Sequence, residues 1–163
     1  MNIAIVGATG NVGRKMLEVL EQKKLPIDEL YLVASSRSSG QKISFKGKQH
    51  VIHNLESYDF SKAEITFFAA GGKISEQYAK KASKNTIIID NSSFFRMDPD
   101  VPLIVPQVNP EAIKDMRKNI IANPNCSTAQ LVIALKPLHD LFKIERVIVS
   151  TYQSVSGGGK APM

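Results

Sequence analysis

The 163-residue chain has one cysteine, in the stretch Asn123-Pro124-Asn125-Cys126-Ser127-Thr128. An apolar, strand-like run at 119–122 precedes it, and a segment with apolar residues at helical spacing follows. Cysteine usually behaves as a small core hydrophobe, yet Cys126 lies before the apolar stripe rather than within it. At a helix start, unpaired N–H groups and the positive end of the dipole favour a thiolate, the nucleophilic form. Asn125 can offer an amide donor beside the Cys126 backbone N–H, as an oxyanion hole requires. The placement fits covalent catalysis by a thiol; a non-reactive free cysteine is the competing reading.

A second group of residues points to a dinucleotide. Gly7-Ala8-Thr9-Gly10-Asn11-Val12-Gly13 joins the first apolar run to an amphipathic segment. Glycines there let the backbone turn tightly and approach a pyrophosphate, which the helix N-terminus attracts. The spacing is G-x-x-G-x-x-G, and its place after the first strand and before a helix is what gives it weight. An NAD site usually ends its second strand with Asp or Glu for the ribose 2′-OH. Here the chain reads Ala34-Ser35-Ser36-Arg37-Ser38-Ser39, without a carboxylate. Arg37 can pair with a 2′-phosphate, and Ser35 and Ser38 can donate to it, so NADP is favoured over a solvated loop arginine. Ala69-Ala70-Gly71-Gly72 ends another strand with small residues that let a dinucleotide cross the sheet edge.

Asp90-Asn91-Ser92-Ser93-Phe94-Phe95-Arg96 ends the next strand. Arg96 is either a bidentate clamp for carboxylate or phosphate or an ordinary surface arginine. Gln153 is a polar residue in an apolar run; it could orient a substrate at Cys126 or cap the strand end. His50, His53 and His139 read as surface or half-buried residues, and none is an evident general base.

The elements that must position these residues alternate. Strands are expected at Asn2–Val6, Leu30–Ala34, Glu64–Ala70, Thr86–Asp90, 119–122 and Arg146–Val155, with a brief one at Leu103–Val105. Helices are expected at Val12–Lys24, Ile74–Ser83 and beyond Cys126, where Leu131, Leu135, Leu138 and Phe142 form a stripe that Pro137 should kink or cut short. Residues 35–62 are polar and short-strand-like. Strands buried on both faces and alternating with helices indicate a doubly wound, Rossmann-type parallel α/β sheet.

Composition agrees with this. At 43% hydrophobic residues the chain can bury a core. The 21 basic and 15 acidic residues give +6, but the lysines are dispersed, which suits small anions better than nucleic acid. A lone cysteine allows no intrachain disulfide and points to a reducing compartment. The apolar runs are too short to cross a bilayer, so a cytoplasmic protein is expected, without membrane or nucleic-acid partners and without a metal.

Taken in order, the Gly7–Gly13 turn, Ser35-Ser36-Arg37-Ser38, Asn91-Ser92-Ser93 with Arg96, Asn123–Thr128, and Thr151-Tyr152-Gln153 ahead of Ser156-Gly157 closely resemble the aspartate-semialdehyde dehydrogenase family over essentially the whole chain. The N-acetylglutamyl-phosphate reductases typically have Gly before and Tyr after their cysteine, and glyceraldehyde-3-phosphate dehydrogenases differ around it. The resemblance implies an NADP-binding Rossmann domain at 1–125, then the start of an α+β catalytic and dimerisation domain at 126–163. It implies NADPH-dependent reduction of aspartyl phosphate to aspartate semialdehyde and phosphate, in the route to lysine, threonine, methionine and diaminopimelate. By the same resemblance Cys126 is the nucleophile, assisted by Asn125, and Gln153 positions the acyl group. Arg96 and Asn91 bind phosphate. Gly7, Thr9, Gly10, Asn11, Val12, Ser35, Arg37, Ser38, Ala70, Gly71, Ser156 and Gly157 bind NADP. Family members form homodimers or homotetramers and are about twice as long, with an acid–base histidine and a substrate-carboxylate arginine in their second half. The resemblance therefore implies a fragment, inactive alone; a non-catalytic NADP-binding remnant is the alternative.

Overall fold

A computed structural model describes residues 1–158. The Gly159-Lys160 end of the glycine run and the last residues of the expected second domain lie outside the described residues. Seven strands form one sheet in the order β3-β4-β2-β1-β5-β6-β7. They are β1 (Asn2–Val6), β2 (Glu29–Ala34), β3 (Lys42–Phe45), β4 (Lys48–Asn54), β5 (Ile65–Phe68), β6 (Ile87–Asp90) and β7 (Ile120–Ala122). All pairings are parallel except the β3–β4 hairpin at the edge.

Two cores follow from period-two alternation in strands that are covered on both sides. Ile3, Ile5, Leu30 and Leu32 point to one face, where helix α1 (Asn11–Gln22) packs Leu17 and Leu20 on them. Val6, Val33, Phe68, Ile88 and Ile120 point to the other, under Ala79, Ala82 and Phe95. Ala79 and Ala82 belong to a helical segment in three parts, α2 (Gly72–Ile74), a π-helical turn (Ser75–Ala79) and α3 (Lys80–Ala82), and Phe95 comes from the turn after β6.

Two expectations need correction. Residues 146–154 form no strand, although rich in Val and Ile; a strand exists only as a hydrogen-bonded ladder, and no strand among the described residues lies beside this run. Nor does Pro137 end its helix: α4 runs from Cys126 to Phe142 with Pro137 inside. Proline there forgoes one backbone bond, and the helix continues across the gap. The brief strand at Leu103 is a single bridge to Ala122.

The turn after β4 carries one polar defect. Tyr58 packs against Tyr31, His53 and Phe60, and its hydroxyl oxygen is buried without a hydrogen-bond partner among the described residues. Burial is the main reason its hydroxyl is pushed well above the usual tyrosine range. A buried unpaired hydroxyl costs about 1–3 kcal/mol. Tyr58→Phe keeps the ring contacts and removes the penalty, so it is expected to raise unfolding stability by about 1 kcal/mol in denaturant titration. A loss of stability would show that the hydroxyl is satisfied.

Candidate functional site

Strand β1 has β2 on one side and β5 on the other, and the chain winds in opposite directions from it. The carboxyl ends of these strands form the switch point at which doubly wound folds bind ligands. A cleft of about 480 Å³ opens there, lined by Gly7, Thr9, Gly10, Asn11, Val12, Ser35 and Ala70 together with Val6, Ala34, Leu55, Ala69 and Ile74. The first seven are expected cofactor contacts. Leu55 gave no sequence signal, because only the parallel pairing of Ala34 with Asn54 brings the end of β4 beside β2.

The glycine turn is built as a cradle. Gly7 has φ +87°, and a Cβ there would stand 2.7 Å from the Ala69 carbonyl oxygen. A Cβ on Gly13 would overlap the Gly7 carbonyl oxygen and lie 2.8 Å from Ala8 Cα. These contacts draw α1 against the β1 turn and leave the N-terminus of α1 open toward the cleft. Gly10 caps α1 in extended conformation with no side-chain capping bond. Unpaired N–H groups at that end suit a pyrophosphate, so the residues present fit a dinucleotide.

Beyond Ser35, Arg37 and Ser38 lie in a short 3₁₀ turn (Ser36–Ser38) at the end of β2. Arg37 is exposed and pairs with no carboxylate among the described residues. Gly71, with φ +87°, caps α2. Ser156 and Gly157 belong to a terminal 3₁₀ turn (Val155–Gly158), and no described contact joins them to the cleft.

The second cluster sits at the ends of β6 and β7, on the same edge of the sheet because the strands are parallel. Asp90 is fully buried and accepts bonds from Ser75 Oγ at 2.8 Å, Ser92 N at 2.9 Å and Ser92 Oγ at 2.7 Å. This fixes the turn that carries Asn91 and Arg96. Arg96 donates from Nε to the Asn123 carbonyl at 3.0 Å and from Nη2 to the Asn91 carbonyl at 3.2 Å. It is half-buried with no carboxylate partner among the described residues, so its charge stays available to an anion. Asn123, which the sequence reading passed over as a site residue, donates from Nδ2 to Asn91 Oδ1 at 2.6 Å.

Two residues on, Asn125 caps α4: its Oδ1 accepts from Ser127 N at 3.0 Å. The cap spends the oxygen, so the amide NH₂ is the part of the Asn125 side chain left to donate. Cys126 is exposed, with Sγ 4.0 Å from Asn125 Oδ1. Gln153 folds against Gly157, where a Cβ would lie 3.0 Å from Gln153 Cδ, and no described contact joins it to Cys126. Val149 and Thr151, a little earlier, line a hollow with Ser127, Thr128 and Leu131 of α4.

A parallel sheet with a glycine turn at its switch point defines a Rossmann-type nucleotide-binding fold, here with an exposed cysteine on the same edge. Residues 2–116 match the model for the semialdehyde dehydrogenase NAD binding domain, and 135–163 that for the semialdehyde dehydrogenase dimerisation domain. The chain belongs to the semialdehyde dehydrogenase family. An aspartate-semialdehyde dehydrogenase of Shewanella violacea is 54% identical over 161 residues, which are 98% of this chain and 48% of the relative. Aspartate semialdehyde dehydrogenase II of Vibrio cholerae, in a crystal structure complexed with ASA, superposes with a TM-score of 0.96 at 53% identity, over 99% of this chain and 48% of that one. The Candida albicans aspartate semialdehyde dehydrogenase, solved with NADP, gives 0.69 at 31% identity over 88% of this chain and 48% of that one. The chain spans about half the length of the curated relatives it matches. Among the described residues no helix is long and apolar enough to cross a membrane.

Proposed function

We propose that this chain supplies the NADP cleft and the cysteine nucleophile of an aspartate-semialdehyde dehydrogenase, which reduces aspartyl phosphate to aspartate semialdehyde and inorganic phosphate. The observation that carries the reading is the shared sheet edge: the cradle after β1, an arginine after β6 with no carboxylate partner among the described residues, and a capped, exposed cysteine after β7. Residues 1–125 form the cofactor domain, and Cys126 opens the catalytic and dimerisation domain. The relatives' names and the Candida albicans NADP complex support this assignment.

In the proposed reaction Cys126 Sγ attacks the acyl carbon of aspartyl phosphate, and the carbonyl oxygen takes up the electron pair. The Cys126 N–H and the Asn125 amide stabilise that oxyanion, a contribution of about 3 kcal/mol. Collapse breaks the carbon–oxygen bond to phosphate, which departs toward Arg96 and Asn91 and leaves a thioester on Cys126. Gln153 holds the acyl group. NADPH, when bound, would supply a hydride to the thioester carbon. The carbon–sulfur bond then breaks, which re-forms the carbonyl as the aldehyde and releases Cys126 as the thiolate. In the cofactor cleft, Gly7, Thr9, Gly10, Asn11 and Val12 would hold the pyrophosphate, Ser35, Arg37 and Ser38 the 2′-phosphate, and Ala70 and Gly71 the nicotinamide end, which Ser156 and Gly157 would have to reach from outside the cleft.

A free nucleophilic cysteine and small anionic reactants suit the cytoplasm. A homodimer or homotetramer is the proposed assembly, supported by the dimerisation-domain match and by exposed apolar side chains such as Phe142 and Ile148.

The cofactor half is tested by calorimetric titration. NADP is expected to bind more tightly than NAD, and Arg37→Ala to weaken NADP by about 1.5–3 kcal/mol through loss of a charge-assisted pair. NAD affinity should stay unchanged. Equal affinity of the unaltered chain for both cofactors contradicts the assignment.

A further inference from the structure

We propose that Asn123 is a positioning residue that ties the anion-binding Arg96 to the cysteine helix. The inference rests on the function proposed above and assigns a role to a residue that the reaction scheme leaves unused.

Asn123 directs both backbone groups and its side-chain amide to the end of β6 and the turn that follows. Its N–H donates to the Asp90 carbonyl at 2.8 Å, its carbonyl accepts from Arg96 Nε at 3.0 Å, and its side-chain Nδ2 donates to Asn91 Oδ1 at 2.6 Å. The turn is itself anchored, because the buried Asp90 carboxylate takes its three bonds from Ser75 and Ser92. Pro124 follows with a fixed φ and is buried, so the orientation of Asn123 is handed directly to the Asn125 cap and to Cys126. The Arg96 guanidinium and the thiol are therefore set on one hydrogen-bonded frame instead of on two independent loops. The side-chain bond to Asn91 can be removed by substitution without touching the backbone bonds of that frame. Without it Arg96 keeps its charge and loses its fixed direction, and a shift of about 1 Å in such a constellation can cost about a hundredfold.

The test compares alkylation of Cys126 by iodoacetate, an anion, with alkylation by neutral iodoacetamide, using the chain as it is. A correctly placed Arg96 draws the anionic reagent to the thiol, so the iodoacetate-to-iodoacetamide rate ratio should exceed that of a cysteine peptide by roughly tenfold. Inorganic phosphate should abolish that preference, and so should Arg96→Ala. Asn123→Ala is expected to lose the preference to within about twofold of Arg96→Ala, while its NADP affinity and melting temperature stay near those of the unaltered chain. Asn91→Ala cuts the same bond from the other side and carries the test if Asn123→Ala fails to fold. A folded Asn123→Ala or Asn91→Ala that keeps the full preference, beside an Arg96→Ala that loses it, overturns the positioning role alone. An unaltered chain with no preference and no response to phosphate overturns the proposed phosphate site and this inference together.

Discussion

Alanine at position 13 is expected to destabilise the chain by about 3 kcal/mol and to weaken NADP about a hundredfold. The added methyl meets backbone only: the Gly7 carbonyl and Ala8 Cα. No side chain can swing away, so α1 must move off the β1 turn, and the cradle moves with it. Gly10 provides the contrast. A Cβ there lies 3.4 Å from the nearest described atom, the Gly7 carbonyl oxygen, with φ −74°, so Gly10→Ala should fold nearly normally. It lines the cleft, however, where a methyl would stand between the backbone and the pyrophosphate. Thermal melting should therefore separate the two variants, and a cofactor titration should show both impaired. A Gly13→Ala protein that melts and binds NADP like the unaltered chain would contradict the close helix–strand approach described here.

Removing the thiol is expected to have the larger effect on chemistry. Cys126→Ala deletes the atom proposed to carry the acyl group, and loss of a covalent nucleophile costs at least about 10⁴-fold in turnover. The position is exposed and the helix is capped by Asn125 rather than by the cysteine. The variant should thus keep its fold and its NADP affinity. Because the chain spans about half the length of its relatives, the assay uses it both alone and joined to the residues that complete the Vibrio cholerae relative. Phosphate-dependent NADPH formation from aspartate semialdehyde is the readout. Turnover of Cys126→Ala comparable to that of the unaltered protein, in either form, would remove Cys126 from the mechanism.

The parallel sheet and the cofactor end were legible because short apolar runs, a glycine turn and an amphipathic helix repeat in a fixed order. Ile3, Ile5 and Val6 and the α1 residues Leu17 and Leu20 are buried as that pattern requires. The exposed place of Cys126 at a helix start was legible for a related reason: polar residues flank it just ahead of an apolar stripe. The π-helical turn at Ser75–Ala79 carries no period that distinguishes it from an α-helix, and its use becomes visible only when Ser75 reaches Asp90. Residues 146–154 show the opposite failure. Val147, Ile148 and Val149 have high strand propensity, but propensity measures fit to a pleated, half-buried surface, and these side chains are 48%, 83% and 50% exposed. Arg96 was legible as a charge. That two carbonyls hold it, one of them from Asn123, depends on β6 and β7 ending side by side.

Intact-protein mass measurement after mixing with aspartate semialdehyde and NADP, phosphate withheld, tests the central claim most directly. In the proposed reaction run in this direction, Cys126 adds to the aldehyde, a hydride passes to NADP, and the resulting thioester has no phosphate to accept it. The completed protein should give a burst of NADPH equal to its concentration and one aspartyl adduct at Cys126. Phosphate should discharge that adduct and open steady turnover. NADPH formation with no adduct at Cys126, or the same burst from Cys126→Ala, would contradict the account.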